Sequence, residues 1–323
     1  MFLRALRLLA VITLLTLFPV TAFADMWPSR PVKILVPYAA GGNSDGMARI
    51  AAQHLAEAFG QPFIVENRVG ANGAVAGEAV VRAPADGYTL LWAATPSIAI
   101  APAIVKLPYD PISDLAPISV VGINGFVLLV NKDVPARTLA EFIAYVRARP
   151  KMLSYAEGSA GSITHLGMAL FLKRAGLEMQ NVSYRGNAPA LNDVIAGHLP
   201  AMFSNISDAV PHAESGAIRL LAVSTDSRAP QLPNVPTFAE SGFPGFSVMT
   251  WNGLMAPSGA PRDIVGRIAQ EIFNAAGDPI FVRRLDGYGA APLGNTPEDF
   301  QTMIAADTKL WAEAVRFSDI KLQ

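Results

Sequence analysis

Short apolar runs alternate with helix-like runs along most of the chain. The runs VKILVP (32–37), FIVEN (63–67) and TLLWAA (89–94) have the length and apolar content of strands that are buried on both faces. Apolar residues at helical spacing lead up to Phe59 and recur over 74–83. Strands that alternate with helices form βαβ units, because parallel strands need a crossover connection. This part of the sequence therefore predicts a doubly wound α/β sheet.

A second series of the same kind follows the Pro-rich stretch 107–117. The runs at 126–131, 152–156 and 219–224 have strand character, and Ser162 opens a helix-like stretch between the last two. With 323 residues the chain is long enough for two hydrophobic cores. The two series predict two lobes, each a doubly wound sheet flanked by helices, with a ligand cleft between the lobes.

The lobe boundaries are placed where one series gives way to the next. The first lobe is expected to comprise 25–125 and 226–323, and the second lobe 126–225. The Pro-rich stretches 107–117 and 230–236 are candidate linkers. Because neither stretch is long or of low complexity, we expect a tight hinge rather than a flexible tether.

The N-terminus has the pattern of a secretory signal peptide. Arg4 and Arg7 precede the apolar run LLAVITLLTLFPV, and an A-x-A site follows, so we expect cleavage between Ala24 and Asp25. The alternative is a short membrane anchor, but the run is interrupted by polar residues and is short for a span of roughly 20 residues. Residues 1–24 are therefore predicted to be removed on export to the periplasm.

Composition excludes several classes of partner and site. The 25 basic and 26 acidic side chains nearly cancel, so no overall field would recruit nucleic acid. No second apolar run is long enough to span a bilayer, so the mature chain is not expected to be membrane-inserted. The chain has no Cys, which excludes a lipid anchor on Cys, thiol nucleophiles and Cys-ligated metal sites.

Two loops share one plan, in which a strand ends, a Gly- and Ser-containing loop follows and a helix begins. They are Tyr38–Asp45 and Glu157–Ser162. A helix start exposes unpaired N–H groups and the positive end of the helix dipole, so it binds carboxylates and phosphates. Neither loop matches a nucleotide-binding motif. The two loops therefore predict an anion site across the cleft, and the alternative is a pair of ordinary βα turns.

The other polar candidates do not assemble a catalytic site. The four His residues lack metal-ligand spacing, and no G-x-S-x-G motif is present. His165 either reaches a bound anion or serves in capping and packing. Asp45 either caps its helix or binds a ligand ammonium group. Arg185 either pairs with a carboxylate or forms an ordinary salt bridge.

Six segments, in this order, are similar to the Bug (TctC-like) family of periplasmic substrate-binding proteins. They are WPSRPVKILVPYAAGGNSDGMAR, FIVENRVGANG, ADGYTLL, LPYDPISDLAPIS, YRGNAPALNDVIAG and LPNVPTFAESGFPGF. The likeness covers residues 26 to 322. It implies an α/β, two-lobe periplasmic binding protein with a type II-like architecture and a hinge of crossing strands.

The resemblance also implies a function and a set of ligand-binding residues. A small carboxylate would be bound without catalysis, metal or cofactor and passed to the membrane subunits of a tripartite tricarboxylate transporter, and we expect a monomer. The residues implied in binding are Tyr38, Ala39, Gly41, Gly42, Asn43, Ser44, Asp45, Thr95, Pro96, Ser97, Gly158, Ser159, Ala160, Gly161, Ser162, His165, Tyr184, Arg185, Gly186, Ser204 and Asn205.

Two positions depart from the family pattern and leave the choice of ligand open. Many members have a small residue at the position of Glu157, whose charge would repel a carboxylate unless it points away or meets a cation. Many carry an acid at the position of Ser204, which would pair with an amino-acid ligand. Dicarboxylates, tricarboxylates, aromatic acids and amino acids remain alternatives for the ligand. A receptor for a membrane sensor and a secreted enzyme remain alternatives for the function.

Overall fold

The computed structural model describes residues 27–184 and 186–318. The predicted signal peptide, its cleavage site at Ala24–Asp25 and the candidate Arg185 lie outside the described residues. Within the described part, no helix is both long enough and apolar enough to cross a membrane.

The strands and helices alternate much as the sequence predicts. The strands are β1 (Val32–Val36), β2 (Phe63–Asn67), β3 (Thr89–Ala94), β4 (Leu115–Asn131), β5 (Ser154–Glu157), β6 (Gln180–Ser183), β7 (Ala201–Asn205), β8 (Ile218–Val223), β9 (Met249–Pro257) and β10 (Ala290–Pro292). The α-helices are α1 (Asn43–Phe59), α2 (Ala74–Val81), α3 (Ala101–Ile104), α4 (Leu139–Arg147), α5 (Ile163–Ala175), α6 (Asn187–Ile195), α7 (Ile206–Glu214), α8 (Arg262–Ala276), α9 (Pro279–Asp286) and α10 (Pro297–Phe317). Short helical turns cover Ala71–Gly73 and Pro96–Ile100.

Two mixed sheets share strand β4. The first sheet has the order β2-β1-β3-β9-β4, in which β1, β2 and β3 are parallel and β9 is antiparallel to both of its neighbours. The second continues as β4-β7-β5-β6, in which β5 is parallel to β6 and β7. The predicted α/β class is confirmed, with antiparallel crossing strands added to the parallel βαβ units.

Strand β4 passes from one sheet to the other at Gly125. Up to Gly125 it pairs with β9, and from Phe126 onward it pairs with β7. A Cβ atom on Gly125 would lie 2.5 Å from Thr225 Cγ2, so a side chain at Gly125 would displace its neighbours. The last residues of the candidate linker at 107–117, residues 115–117, already pair with β9 in the first sheet.

The second core draws on residues that follow the predicted boundary at 225. Phe238, Phe246 and Val248 pack in one cluster with Phe171 and Phe203. The rings of Phe238 and Phe246 have centroids 4.3 Å apart. The domain division stays a prediction, and this packing extends the second core beyond residue 225.

The C-terminal helix α10 packs against both cores. Its Phe300 and Ile304 belong to a first-sheet cluster that includes Trp251, whereas Trp311 belongs to the second core. Between these contacts, the Asp307 carboxylate accepts a hydrogen bond of 2.7 Å from Trp251 Nε1. Burial raises the pKa of Asp307 to about 6, and the hydrogen bond from Trp251 opposes part of this rise.

We predict that Asp307→Asn stabilises the protein at neutral pH. Because burial raises the pKa of Asp307 from 3.8 to about 6 in the folded state, ionisation removes stability as pH rises through this range. The Asn variant cannot ionise, and its side-chain oxygen still accepts from Trp251. Thermal unfolding should give a higher midpoint than the parent at pH 7.5 and nearly the same midpoint at pH 3, below the unfolded-state pKa of 3.8. An unchanged midpoint at pH 7.5 would contradict the prediction, and Asp226→Asn, at an exposed position, is the control.

Candidate functional site

A cavity of about 500 Å³ lies between loops of the first sheet and loops of the second. Nine of its lining residues belong to the predicted ligand set. They are Tyr38, Asn43, Ser44, Pro96, Ser159, Ala160, Gly161, Ser162 and Asn205. The two loops predicted from the sequence therefore meet at one cavity.

The first loop is tied to its helix by Asp45. The carboxylate of this buried residue accepts hydrogen bonds from the Gly41 N–H at 2.9 Å and from Asn67 Nδ2 at 2.8 Å. Arg49, one turn further along α1, donates to it through two nitrogens at 2.9 and 3.0 Å. Asn67 also donates to the Tyr38 carbonyl at 2.9 Å. Both carboxylate oxygens of Asp45 are therefore hydrogen-bonded within the protein. Asp45 holds the loop in place and does not present a free carboxylate to a ligand.

The charge of Asp45 is stabilised where it lies. Burial acts to raise the pKa of this carboxyl, but the hydrogen bonds from Arg49, Gly41 and Asn67 outweigh burial and lower the pKa to about 2. Helix α1 has Gly42 at its N-cap, and no side chain caps its start. The N–H groups of the first turn are therefore left for another acceptor.

The second loop is ordered by hydroxyl groups. The Ser162 hydroxyl caps α5 by accepting the His165 N–H at 3.3 Å, and it lies 2.8 Å from Thr164 Oγ1. The Gly158 N–H donates to Thr164 Oγ1 at 3.1 Å. A Cβ atom on Gly158 would lie 2.1 Å from Asn187 Oδ1 and 3.2 Å from the Asn187 backbone nitrogen, so a larger residue would displace the Asn187 side chain where this loop meets the start of α6. The cap and the glycine fix the loop against two helix starts.

Glu157 and His165 both turn away from the cavity. Glu157 is fully buried, with its Oε2 2.9 Å from His165 Nδ1 and its Oε1 accepting from Asn181 Nδ2 at 3.3 Å. Neither Glu157 nor His165 lines the cavity. The Glu157 carboxylate therefore does not face a ligand in the cavity. For His165, this geometry fits the alternative of a packing role and does not fit contact with an anion in the cavity.

Several other candidates hold the framework without lining the cavity. Thr95 is fully buried and accepts the Trp251 N–H at 3.0 Å, and Ser97 donates to the Ala94 carbonyl at 3.1 Å. The Tyr184 hydroxyl donates to Asp193 of α6. The remaining candidates also do not line the cavity: Ala39, Gly41, Gly42 and Gly186 are exposed, and Ser204 is fully buried in β7.

Nine further lining residues were not named among the predicted ligand-binding residues, although Ile163 and Thr164 directly follow the second predicted loop. They are Asn72, Ala94, Asn124, Phe126, Ile163, Thr164, Asn187, Thr250 and Asn252. Four of these lie on the crossing strands β4 and β9. Since β9 and the first part of β4 were not predicted as strands, no local signal could place Asn124, Thr250 and Asn252 at the cleft.

The partial positive charge of the described lining comes from backbone N–H groups at helix starts. First-turn or cap residues of α1, α5, α6 and α7 line the cavity, and α1, α6 and α7 have no side-chain cap. Burial raises the pKa of the Tyr38 hydroxyl to about 12, so that lining side chain is neutral. Among residues 27–184 and 186–318, no group of three acidic or His side chains is placed to hold a metal. The arrangement suits an anion bound by N–H and amide groups.

We predict that Asp45→Asn destabilises the fold at neutral pH by about 2 kcal/mol, because the lowered pKa of Asp45 stabilises the folded state. That contribution is present above pH 3.8 and is lost as pH falls toward about 2. Urea unfolding at pH 7 and pH 3 should show a smaller difference between variant and parent at pH 3. Asp133→Asn, which removes an exposed ion pair with Lys132, is the control. Equal losses in both variants would contradict the special role of Asp45.

The comparisons with known proteins agree with this architecture. The chain is 35% identical over 302 residues to Protein BugT from Bordetella pertussis, and the alignment covers 93% of each chain. The structure of R. palustris Rpa4515 with adipate has 35% identity and a TM-score of 0.76, and the match covers 90% of this chain and 98% of that one. MatC (Rpa3494) from Rhodopseudomonas palustris with bound malate has 31% identity and a TM-score of 0.73, with 90% and 100% coverage.

A family model also matches most of the chain. The model of the tripartite tricarboxylate transporter family receptor matches residues 47–318. This match confirms the resemblance drawn from the six sequence segments. The chain belongs to the tripartite tricarboxylate transporter receptor family, whose members are periplasmic binding proteins rather than enzymes.

Proposed function

We propose that the mature protein binds a small organic carboxylate in the cavity between its two lobes. The observation that carries this proposal is the convergence of four helix starts, three of them without a side-chain cap, on that cavity. Each start presents N–H groups and a partial positive charge to a carboxylate oxygen. The bound adipate and malate of two relatives support the same ligand class.

Binding would act through closure of the two lobes. The first loop belongs to one sheet and the second loop to the other, and β4 and β9 run between them. A ligand that contacts both loops is bound more tightly in the closed form, so it shifts the equilibrium toward closure. Closure would create the surface that a membrane partner recognises.

We further propose that this partner is the membrane part of a tripartite tricarboxylate transporter, reached in the periplasm after removal of residues 1–24. Family membership supports this assignment. A membrane sensor is the alternative partner. Reconstitution of carboxylate uptake with the membrane subunits would support transport, and signalling without uptake would support the sensor.

A thermal-shift screen of residues 25–323 tests the ligand class. Adipate, malate, citrate, benzoate and glutamate represent the alternatives, and glucose and choline are the neutral and cationic controls. At a ligand concentration 100 times Kd, binding should stabilise the fold by about 2.7 kcal/mol. Calorimetry should then give one site per chain with no turnover of the acid. If glucose or choline raises the midpoint and no carboxylate does, the proposal fails, and turnover would support an enzyme instead.

We predict that Ser162→Ala weakens carboxylate binding beyond its cost in stability. The hydroxyl both caps α5 and lines the cavity, so its loss should cost about 1 kcal/mol of stability and also weaken binding. Thr138→Ala removes the equivalent cap of α4, which accepts the Glu141 N–H at 3.2 Å and lies outside the cavity lining. Calorimetry should show weaker binding only in the first variant. Equal affinity in both would exclude Ser162 from the site.

A further inference from the structure

A buried indole is hydrogen-bonded to the cavity wall. Trp92 lies in β3, is fully buried and does not line the cavity, and its Nε1 donates to Ser44 Oγ at 2.8 Å. Ser44 lies in the first turn of α1 and lines the cavity. An indole nitrogen can only donate a hydrogen bond. Ser44 therefore has to accept at this contact.

The hydrogen bonds continue from Ser44 along the crossing strands. The Ser44 hydroxyl donates to Asn252 Oδ1 at 2.7 Å, and Asn252 Nδ2 donates to Asn124 Oδ1 at 3.4 Å, the longest link. Asn124 Nδ2 then donates to the Tyr288 carbonyl at 3.0 Å. This hydrogen-bond chain thus runs from the first core through β9 to β4. It reaches β4 at Asn124, one residue before β4 changes sheet at Gly125.

The direction of every bond is set by the two ends of the hydrogen-bond chain, the Trp92 indole N–H, which can only donate, and the Tyr288 carbonyl, which can only accept. Because the Tyr288 carbonyl accepts from Asn124 Nδ2, Asn124 turns its Oδ1 to Asn252. Asn252 then has to present Oδ1 to Ser44 and its NH₂ group to Asn124. With the indole absent, the Ser44 hydroxyl would lose one of the two hydrogen bonds that hold it in place, so its bond to Asn252 Oδ1 would be less well ordered.

The direction decides what the cavity wall offers a ligand. Each of the two amide nitrogens carries two hydrogens, and the chain uses one of each. Both residues line the cavity and are at least nine-tenths buried. Resting on the proposed function, we infer that Trp92 is a positioning residue that holds the Ser44 hydroxyl against Asn252, so that the Asn252 and Asn124 amides stay in place with N–H groups available to carboxylate oxygens.

A double-mutant cycle tests this inference on affinity. Calorimetry with adipate and with malate should show that Trp92→Phe weakens binding about tenfold, as expected for one lost hydrogen-bond contribution.

Trp311→Phe is the matched control, because Trp311 is equally buried and its Nε1 has no partner among the described residues. It should lower the unfolding midpoint but change affinity by less than about twofold. In a Ser44→Ala background, Trp92→Phe should have no further effect on affinity. The same tenfold loss in that background would assign the effect to packing and overturn the inference.

A second measurement needs no ligand and does not require the Trp92 variant to fold. In a ¹⁵N–¹H spectrum, Ser44→Ala should move the Trp92 indole N–H signal upfield and speed its exchange with solvent, while the Trp311 signal stays in place. An unchanged Trp92 signal would overturn the hydrogen-bond chain. If no carboxylate binds the parent protein, the proposed function fails. These spectra then still decide whether the hydrogen-bond chain exists.

Discussion

The hydrogen bonding of β4 to both sheets is the constraint on which the site depends. One continuous strand, Leu115–Asn131, sets the register of β9 on one side and of β7 and β8 on the other. Side chains alternate along a strand, so Asn124 and Phe126 share a face, as do Thr250 and Asn252, and all four line the cavity. A slip of one residue would turn each pair to the opposite face. The pairing therefore positions the wall of the cavity as well as the two cores.

The parallel strands could be predicted because their signal is local. Strands buried on both faces are continuous apolar runs, and the predicted bounds 63–67 and 89–94 coincide with β2 and β3. Strand β9 (MTWNGLMAP) has Asn and Gly at its centre, and the first part of β4 follows a Pro-rich stretch, so neither shows strand periodicity. Both are strands because they pair with each other across more than a hundred residues of sequence, and tertiary context of this kind overrides local preference.

The same division between local and distant signals applies to the site. Gly- and Ser-containing turns before helices are visible in the sequence, and both predicted loops line the cavity. The direction of individual side chains is not visible there. From the sequence, Glu157 was expected to place a repulsive charge in an anion-binding loop unless its side chain pointed away. In the structure it is the last residue of β5, and its side chain points toward His165 and Asn181. Only the pleat of the folded strand determines that face.

In the described lining, the partial positive charge comes from backbone N–H groups at helix starts and not from Lys or Arg side chains. This difference affects how easily a bound ligand is released. A buried Lys or Arg would need a partner of its own whenever the cavity is empty, because an unpaired buried charge is costly. A helix start carries only a fraction of a unit charge, which water can satisfy in the open form. Among the described lining residues, no orphaned charge penalises the empty cavity, and under the proposed function the ligand would be held by contacts that exist only while both loops surround it. A receptor that must both capture and release its ligand requires this balance, and in the proposed mechanism the lobes would separate these contacts about the crossing of β4 at Gly125.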